Sequence, residues 1–384
     1  MPQHDTLGPN GHSAVAIRMS DSKPLVLHYV SSPGTLGGLW TYAIVLSESD
    51  LKERYRFDQY SPSHTQHGIE PLSILRLAKM FKQKRPEILH MHGLNTPIIQ
   101  PTMAARLARV PRVLLAVHVF IEDSHMRKPW KKALSAQFLE PVALRRANAV
   151  YNVCAFGAAK PQMTHFVKND LGVIDNAVRI SEPLTPDASL RASFGFKPDD
   201  IIALSVGRAE LEKGWHLLAE AMEILDREGL EQPKLLLVGD GPHKQMIEER
   251  LKPLIAKGRV VMPGRRNDVM ELHAISDFFV SPTLRDYQPL VFLDAMLQHK
   301  PILTTQVGGN PEMVVDDKTG VLVAPKDVKA LVREMKRLSI DADLRKRLGD
   351  AGRVRVETKF SLGRLTQEVG AVYDQLMTSL PGWK

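Results

Sequence analysis

The sequence predicts two doubly wound α/β domains in tandem. Short β-rich runs alternate with helical patterns through both halves of the chain, a Pro-rich segment around Glu182–Ala188 separates the halves, and 384 residues exceed what one core usually organises.

The first 22 residues mix Pro, Gly, His and Asp around a four-residue apolar run, Ala14–Ile17, too short for a signal-peptide core, and are expected to form a flexible tail. Residues 23–180 make the first expected domain, in which Pro24–Val30, Glu87–Met91, Arg112–Val117 and Ala149–Val153 are strand-like and separated by helical stretches. Residues 181–360 make the second. There Ile201–Val206 reads as a buried strand, and Trp215–Gly229 follows with Leu218, Ala221, Met222 and Leu225 at helical spacing before a terminating glycine. The unit recurs as strand Lys234–Val238, a helix through Met246, Ile247, Leu251 and Leu254, then strand Arg259–Met262, with further strands at Asp277–Ser281 and Pro301–Thr304. A last helix, Leu362–Met377, has no strand after it; residues 361–384 are expected to pack back on the first domain.

With 43% apolar and 24% charged residues the composition is that of a soluble globular protein, which excludes a disordered chain, a collagen-like repeat and a membrane channel. The longest apolar stretches, such as Val113–Ile121, are interrupted by a histidine and fall short of the ~20 residues a spanning helix needs. A single cysteine, Cys154, can form neither an intramolecular disulfide nor a cysteine-based zinc site, so a cytoplasmic location is expected. The net charge of +8 is unevenly placed: residues 21–179 carry 21 Lys and Arg against 12 Asp and Glu, whereas residues 180–384 carry 29 against 30. Such asymmetry points to an anionic partner of the first half, or simply to solubility.

Open α/β sheets bind ligands at the carboxyl ends of their strands. After Ile201–Val206 come Gly207, Arg208, Lys213 and Gly214, just before a helix: two cations and two glycines at a helix N-terminus suit a diphosphate, although a solvated loop has the same composition. Lys234–Val238 runs into Gly239, Asp240, Gly241 and Pro242, a tight turn that could let a ligand approach the backbone. Asp286 and Asp294 stand eight residues apart, and Pro289 suits a first helical turn, so Leu290 and Val291 would offer N–H groups to an anion.

Taken together, Gly207, Arg208, Lys213 and Gly214, the run Ser281–Met296, Pro301–Thr305, the Gly308–Glu312 sequence and Gly320–Pro325 resemble the nucleotide-binding half of family 4 glycosyltransferases in order and spacing. The first half matches more loosely, through Gly37 and Gly38, Pro86–His92, His118 and Asn176. The resemblance covers roughly residues 23–378. It implies the GT-B fold, two Rossmann-like domains facing each other across a cleft, and retaining sugar transfer from a nucleotide-diphosphate donor to a glycan or lipid-linked acceptor without a metal or other cofactor. It further implies that Arg208 and Lys213 hold the diphosphate, that Asp294 binds the ribose hydroxyls, that Asp286 faces the transferred sugar, that His118 contacts that sugar from the other domain, and that Gly37 and Gly38 keep their loop near the phosphates. This sequence departs from the family where Asp286 and Asp294 replace two glutamates, each shorter by one methylene; a non-catalytic sugar-nucleotide-binding subunit of a partner transferase is the alternative that this departure supports.

Charge chemistry agrees with the implied roles: departure of a nucleoside diphosphate places negative charge on the leaving group and positive charge on the sugar, so cations beside phosphate and a carboxylate beside sugar both stabilise the transition state. The one Asp-x-Asp spelling, Asp341 to Asp343, reads as a helix start rather than a metal site. Histidines such as His28 and His299 read as structural or solvated, and no histidine pair shows zinc-ligand spacing. Two basic stretches, Arg76, Lys79, Lys82, Lys84 and Arg85, and Arg127, Lys128, Trp130, Lys131 and Lys132, suggest peripheral contact with the anionic inner face of a membrane. No RNA-module motif accompanies them, so nucleic acid is not an expected partner.

Overall fold

The computed structural model describes residues 23–30, 38–62, 70–94, 98–120, 130, 133 and 135–378. Two six-stranded parallel sheets organise them. The first contains β1 (Leu25–Val30), β2 (Arg56–Tyr60), β3 (Ile88–His92), β4 (Arg112–Val117), β5 (Ala149–Asn152) and β6 (Asp170–Val173), in spatial order β2-β1-β3-β4-β5-β6. The second contains β7 (Ile202–Val206), β8 (Lys234–Val238), β9 (Val260–Gly264), β10 (Phe278–Ser281), β11 (Ile302–Thr305) and β12 (Gly320–Val323), in order β12-β11-β10-β7-β8-β9. Both orders are doubly wound. They reverse direction at β1/β3 in the first sheet and at β7/β10 in the second, and such reversal points open a crevice for ligands.

Strand alternation decides which side chains meet which helices. In β1, Leu27 and Tyr29 pack with Ile74, Leu77 and Phe81 from the helix Pro71–Lys84, whereas Val26 on the opposite face packs with Tyr42 and Leu46 of the helix Gly38–Ser47 and with Leu365, Val369 and Tyr373 of the helix Leu362–Thr378. The C-terminal helix therefore covers the first sheet, although the segment before it belongs to the second domain. Asp374 ties it down, accepting from Arg54 Nη1 and Tyr55 OH, both at 2.6 Å. The chain crosses between domains twice, side by side: Val178 N donates to Phe360 O and Leu362 N donates to Val178 O, each at 2.9 Å.

Three strands went unseen in the sequence, β2, β6 and β12, and all three are sheet edges. An edge strand needs less apolar surface, and Arg-Phe-Asp-Gln-Tyr in β2 has the half-exposed character that follows. Asp341 caps the helix Ala342–Lys359 by accepting from Leu344 N at 2.8 Å, which accounts for the acidic pair there.

Candidate active site

The loops at the β7/β10 reversal, the β8 loop and the first domain's facing edge together enclose a cleft of about 870 Å³. Gly38, His118, Gly207, Arg208, Lys213, Gly239, Asp286, Leu290, Val291 and Asp294 all line it. Gly241 lies outside its lining, and Gly37 lies outside the described residues.

The β7 loop turns through the short helix Leu211–Lys213 and restarts as the helix Trp215–Arg227. Lys213 Nζ thereby reaches across the reversal to Asp286 Oδ2 at 2.7 Å, with both side chains partly buried. Arg208 stays mostly exposed beside Glu210 Oε1 at 3.0 Å. Asp286 is fixed by its surroundings: Oδ1 accepts from Tyr287 N at 3.1 Å, and its own carbonyl accepts from Gly309 N at 3.2 Å. The helix Leu290–Leu297 starts at Pro289 with no side-chain cap, and Pro289, Leu290 and Val291 line the cleft at this start. Asp294 stands one turn further along, and burial pushes its carboxyl up to about 6.

The turn after β8 also has a packing role. Gly239 and Gly241 read in sequence as a tight turn that lets a ligand approach; Gly239 lines the cleft, and on the side where a Cβ would stand both glycines meet protein backbone. A Cβ on Gly239, where φ is +143°, would fall 1.8 Å from Gly207 O, and one on Gly241 would fall 2.8 Å from Ala209 N. These glycines let the β8 turn support the β7 loop, with Gly207 N donating to Val238 O and Ala209 N donating to Asp240 O. Gly239 thus shapes the cleft wall through the loop it props.

From the first domain, His118 follows β4 and reaches the cleft, where burial lowers its imidazole to about 3 and keeps it neutral. Its Nε2 is buried without a hydrogen-bond partner among the described residues. The domains also grip each other. Asn176 N and Nδ2 donate to Gln288 Oε1 and O at 2.6 and 2.9 Å, the Glu312 carboxylate accepts from Ala155 N and Phe156 N at 2.7 Å each, and a Cβ on Gly38 would touch Leu290 Cδ1 at 3.4 Å. Cys154, beside this contact, is buried and its thiol is pushed up to about 12, consistent with a packed side chain.

One histidine cluster adds to the sequence reading, in which His28 is structural or solvated and no histidine pair shows zinc-ligand spacing. His28 on β1 and His90 and His92 on β3 share the sheet face beneath the C-terminal helix, with one ring nitrogen of each within 4.8 Å of the other two. The signal available in sequence was the His-x-His alternation of β3; what was missing was the parallel register that sets His28 opposite His90. Their bonding is that of neutral imidazoles. His28 Nδ1 and His92 Nε2 share a hydrogen bond at 2.7 Å, and both nitrogens of His90 are engaged, by Tyr373 OH at 2.7 Å and Tyr151 OH at 3.0 Å. A metal ion bound at His90 would have to displace one of its tyrosine partners.

Two Rossmann-like domains facing each other across a cleft, with cations, carboxylates and a helix N-terminus at one switch point, define the GT-B class of glycosyltransferases. The chain belongs to the group 1 glycosyltransferases: the model for glycosyl transferases group 1 matches residues 187–355, and that for glycosyl transferase 4-like proteins matches residues 42–153. It is 27% identical over 277 residues to the UDP-Gal:alpha-D-GlcNAc-diphosphoundecaprenol alpha-1,3-galactosyltransferase of Escherichia coli, covering 70% of each chain. It is 26% identical over 318 residues to the alpha-maltose-1-phosphate synthase of Mycolicibacterium smegmatis, covering 74% of this chain and 78% of that one. Among solved structures, the Anabaena HepE protein in complex with UDP-glucose superposes with a TM-score of 0.74 at 16% identity, over 91% of this chain and 99% of that one.

Proposed function

We propose that this glycosyltransferase takes a sugar from a nucleoside-diphosphate donor and transfers it, with retention and without a metal, to a glycan or lipid-linked acceptor. The observation that carries the reading is the Lys213–Asp286 pair spanning the β7/β10 reversal beside the uncapped start of the helix Leu290–Leu297. A diphosphate entering there meets the Lys213 ammonium, the Arg208 guanidinium and the first N–H groups of that helix, all of which stabilise the charge that grows as the sugar departs. Lys213 and the Tyr287 N–H hold the Asp286 carboxylate in place, which suits it to steady positive charge on the sugar. Asp294, on the same cleft wall, would accept from the ribose hydroxyls. The UDP-glucose complex of the HepE protein and the diphosphoundecaprenol acceptor in the name of the Escherichia coli relative support the donor and acceptor classes.

The test is a thermal-shift panel of UDP-, GDP- and ADP-sugars, followed by a donor turnover assay with and without EDTA. One sugar nucleotide should raise Tm and turn over equally in both; activity that vanishes with chelator and returns with Mg²⁺ or Mn²⁺ would sink the metal-free mechanism.

Peripheral docking on an anionic membrane belongs to the same proposal. Among the described residues no helix is long and apolar enough to cross a membrane. The outer face of the helix Pro71–Lys84 instead exposes Leu72 and Leu75 beside Arg76, Lys79 and Lys82, and the helix Ile99–Ala108 packed against it exposes Met103 and Leu107. Apolar and cationic side chains on one face suit the interface of an anionic bilayer. Trp130 is exposed, while Arg127, Lys128, Lys131 and Lys132 lie outside the described residues. Sedimentation with phosphatidylglycerol vesicles should recover the protein at low salt and release it at about 1 M, where screening shortens the Debye length to about 3 Å; no recovery at low salt would assign the charge to solubility.

A further inference from the structure

His118 meets the cleft from a loop just past the end of β4, and its Nε2 has no protein partner among the described residues. No hydrogen bond at Nε2 among them fixes the angle of the ring. Tyr42, which does not line the cleft, stands edge-on to the ring, with ring centroids 5.1 Å apart and planes at 81°, and His92 lies 5.9 Å away. Tyr42 is itself fully bonded into the fold. Its hydroxyl shares a hydrogen bond with Tyr151 OH at 2.9 Å, Tyr151 OH pairs with His90 Nε2 at 3.0 Å, and His90 Nδ1 pairs with Tyr373 OH at 2.7 Å.

Every link is buried, and each comes from a different element: the helix Gly38–Ser47, β5, β3 and the C-terminal helix. A hydroxyl donates one proton, and a neutral imidazole donates from one nitrogen and accepts at the other, so the four groups form one directional chain in which a change at one end is felt along its length. Burial keeps the imidazole of His90 well below its usual range, and pushes the phenols of Tyr42, Tyr151 and Tyr373 up, so the chain stays neutral at physiological pH.

We propose that Tyr42 is a positioning residue for His118, and that the chain Tyr42–Tyr151–His90–Tyr373 makes the C-terminal helix part of the active-site support. This rests on the reading of His118 as the sugar-side residue of the cleft. It assigns work to residues that touch no substrate: Tyr42 sets the ring plane of His118, and Tyr373, on the last helix of the chain, sets the place of Tyr42. The Lys213 and Arg208 clamp on the other domain is untouched, so donor binding and turnover should separate.

The experiment uses the full chain in two arms. In the first, the ligand-free protein is labelled at histidine, the His118 ring resonances are assigned with His118→Gln, and the spectra of Tyr42→Leu, Tyr42→Phe and Tyr373→Phe are recorded. His118 should shift in all three. In the second, with the sugar nucleotide that turns over in the panel above, Tyr42→Leu should lower kcat by at least about 10-fold and leave donor KM within about twofold, whereas Tyr42→Phe and Tyr373→Phe should each cost about threefold in kcat. Because both phenylalanines break one chain, the double variant should lose no more than the worse single one. Folded Tyr42→Leu protein with unmoved His118 resonances and kcat within about twofold of wild type would overturn the positioning role, and multiplying losses in the double variant would remove the chain. If Tyr42→Leu does not fold, the two phenylalanine variants decide. If the wild type turns over no sugar nucleotide, the proposed function fails, while the resonance arm still judges the positioning.

Discussion

At the switch point of the second sheet, between β7 and β10, the side chains are charged: Lys213 and Asp286 meet at 2.7 Å, with Arg208 and Asp294 on the same cleft wall. At the switch point of the first sheet, between β1 and β3, they are aromatic and neutral: His28, His90 and His92, backed by Tyr42, Tyr151 and Tyr373. Topology puts a crevice in both places. The sequence then fills one with groups that can answer a diphosphate and the other with a hydrogen-bonded floor under His118. A transferase needs both, because charge that moves during reaction must be met by fixed charge on one side and by a shaped surface on the other.

The contrast breaks most sharply at the cations. Lys213→Ala or Arg208→Ala should lower donor turnover by at least about 100-fold, the scale of losing one preorganised electrostatic contact in an active site. Lys213→Ala also strands the Asp286 carboxylate, so it should be the worse of the two. Near wild-type turnover in both variants would mean that the diphosphate is held elsewhere.

How far this division was visible in sequence follows from how local each part is. The second domain's wall is written in short contiguous runs, Gly207 to Gly214 and Asp286 to Asp294, each belonging to one loop and the helix it feeds. The first domain's floor is assembled from residues 28, 90, 92, 151 and 373, which meet only through strand register and the return of the last helix. The His-x-His alternation of β3 is the one local hint of it. The β8 glycines were legible as a tight turn but not as a prop for Gly207, since the carbonyl they accommodate comes from another strand's loop. Edge strands β2 and β6 escaped for a related reason: a strand buried on fewer sides needs less of the apolar signature by which strands are read, whereas β12, Gly-Val-Leu-Val, is apolar and largely buried but only four residues long.

Acid should separate the two domains next. Burial lowers His28 and His118 to about 3 and His90 and His92 well below the usual range. Below about 6.5 the unfolded chain takes up protons that these folded imidazoles refuse, so stability is complete above that pH and falls as pH drops toward 3. At pH 5.5 each such histidine costs about 1.4 kcal/mol. The second domain has His273 acting the same way, but Asp294 acts oppositely, since its raised carboxyl lets the folded state bind a proton first. Hydrogen exchange followed from pH 7 to 5 should therefore show first-sheet amides losing protection before second-sheet amides. Equal loss in both sheets would mean that the histidine floor admits water and protonates in place.

The smallest effect isolates Asp294, where function and stability pull in opposite directions. Its carboxyl is raised from 3.8 to about 6 by burial, so ionising it at pH 7 opposes folding: stability falls as pH climbs from about 4 to 6 and stays lower above that. Asp294→Asn removes the buried charge at nearly constant shape, and should raise Tm by a few degrees at pH 7, about 2–4 °C for each kcal/mol in a domain of this size. The gain should shrink as pH falls below about 6, where the wild-type carboxyl is already protonated. On the proposed reading, the same substitution replaces the charged acceptor of the ribose hydroxyls and should weaken donor binding by about 10-fold, the lower end for a hydrogen bond to a charged group. Wild-type donor affinity should fall as pH passes below about 6, whereas that of the asparagine variant should stay flat. If Asp294→Asn is more stable and binds donor as tightly as wild type, the ribose contact belongs to another residue and Asp294 is a liability that the cleft tolerates.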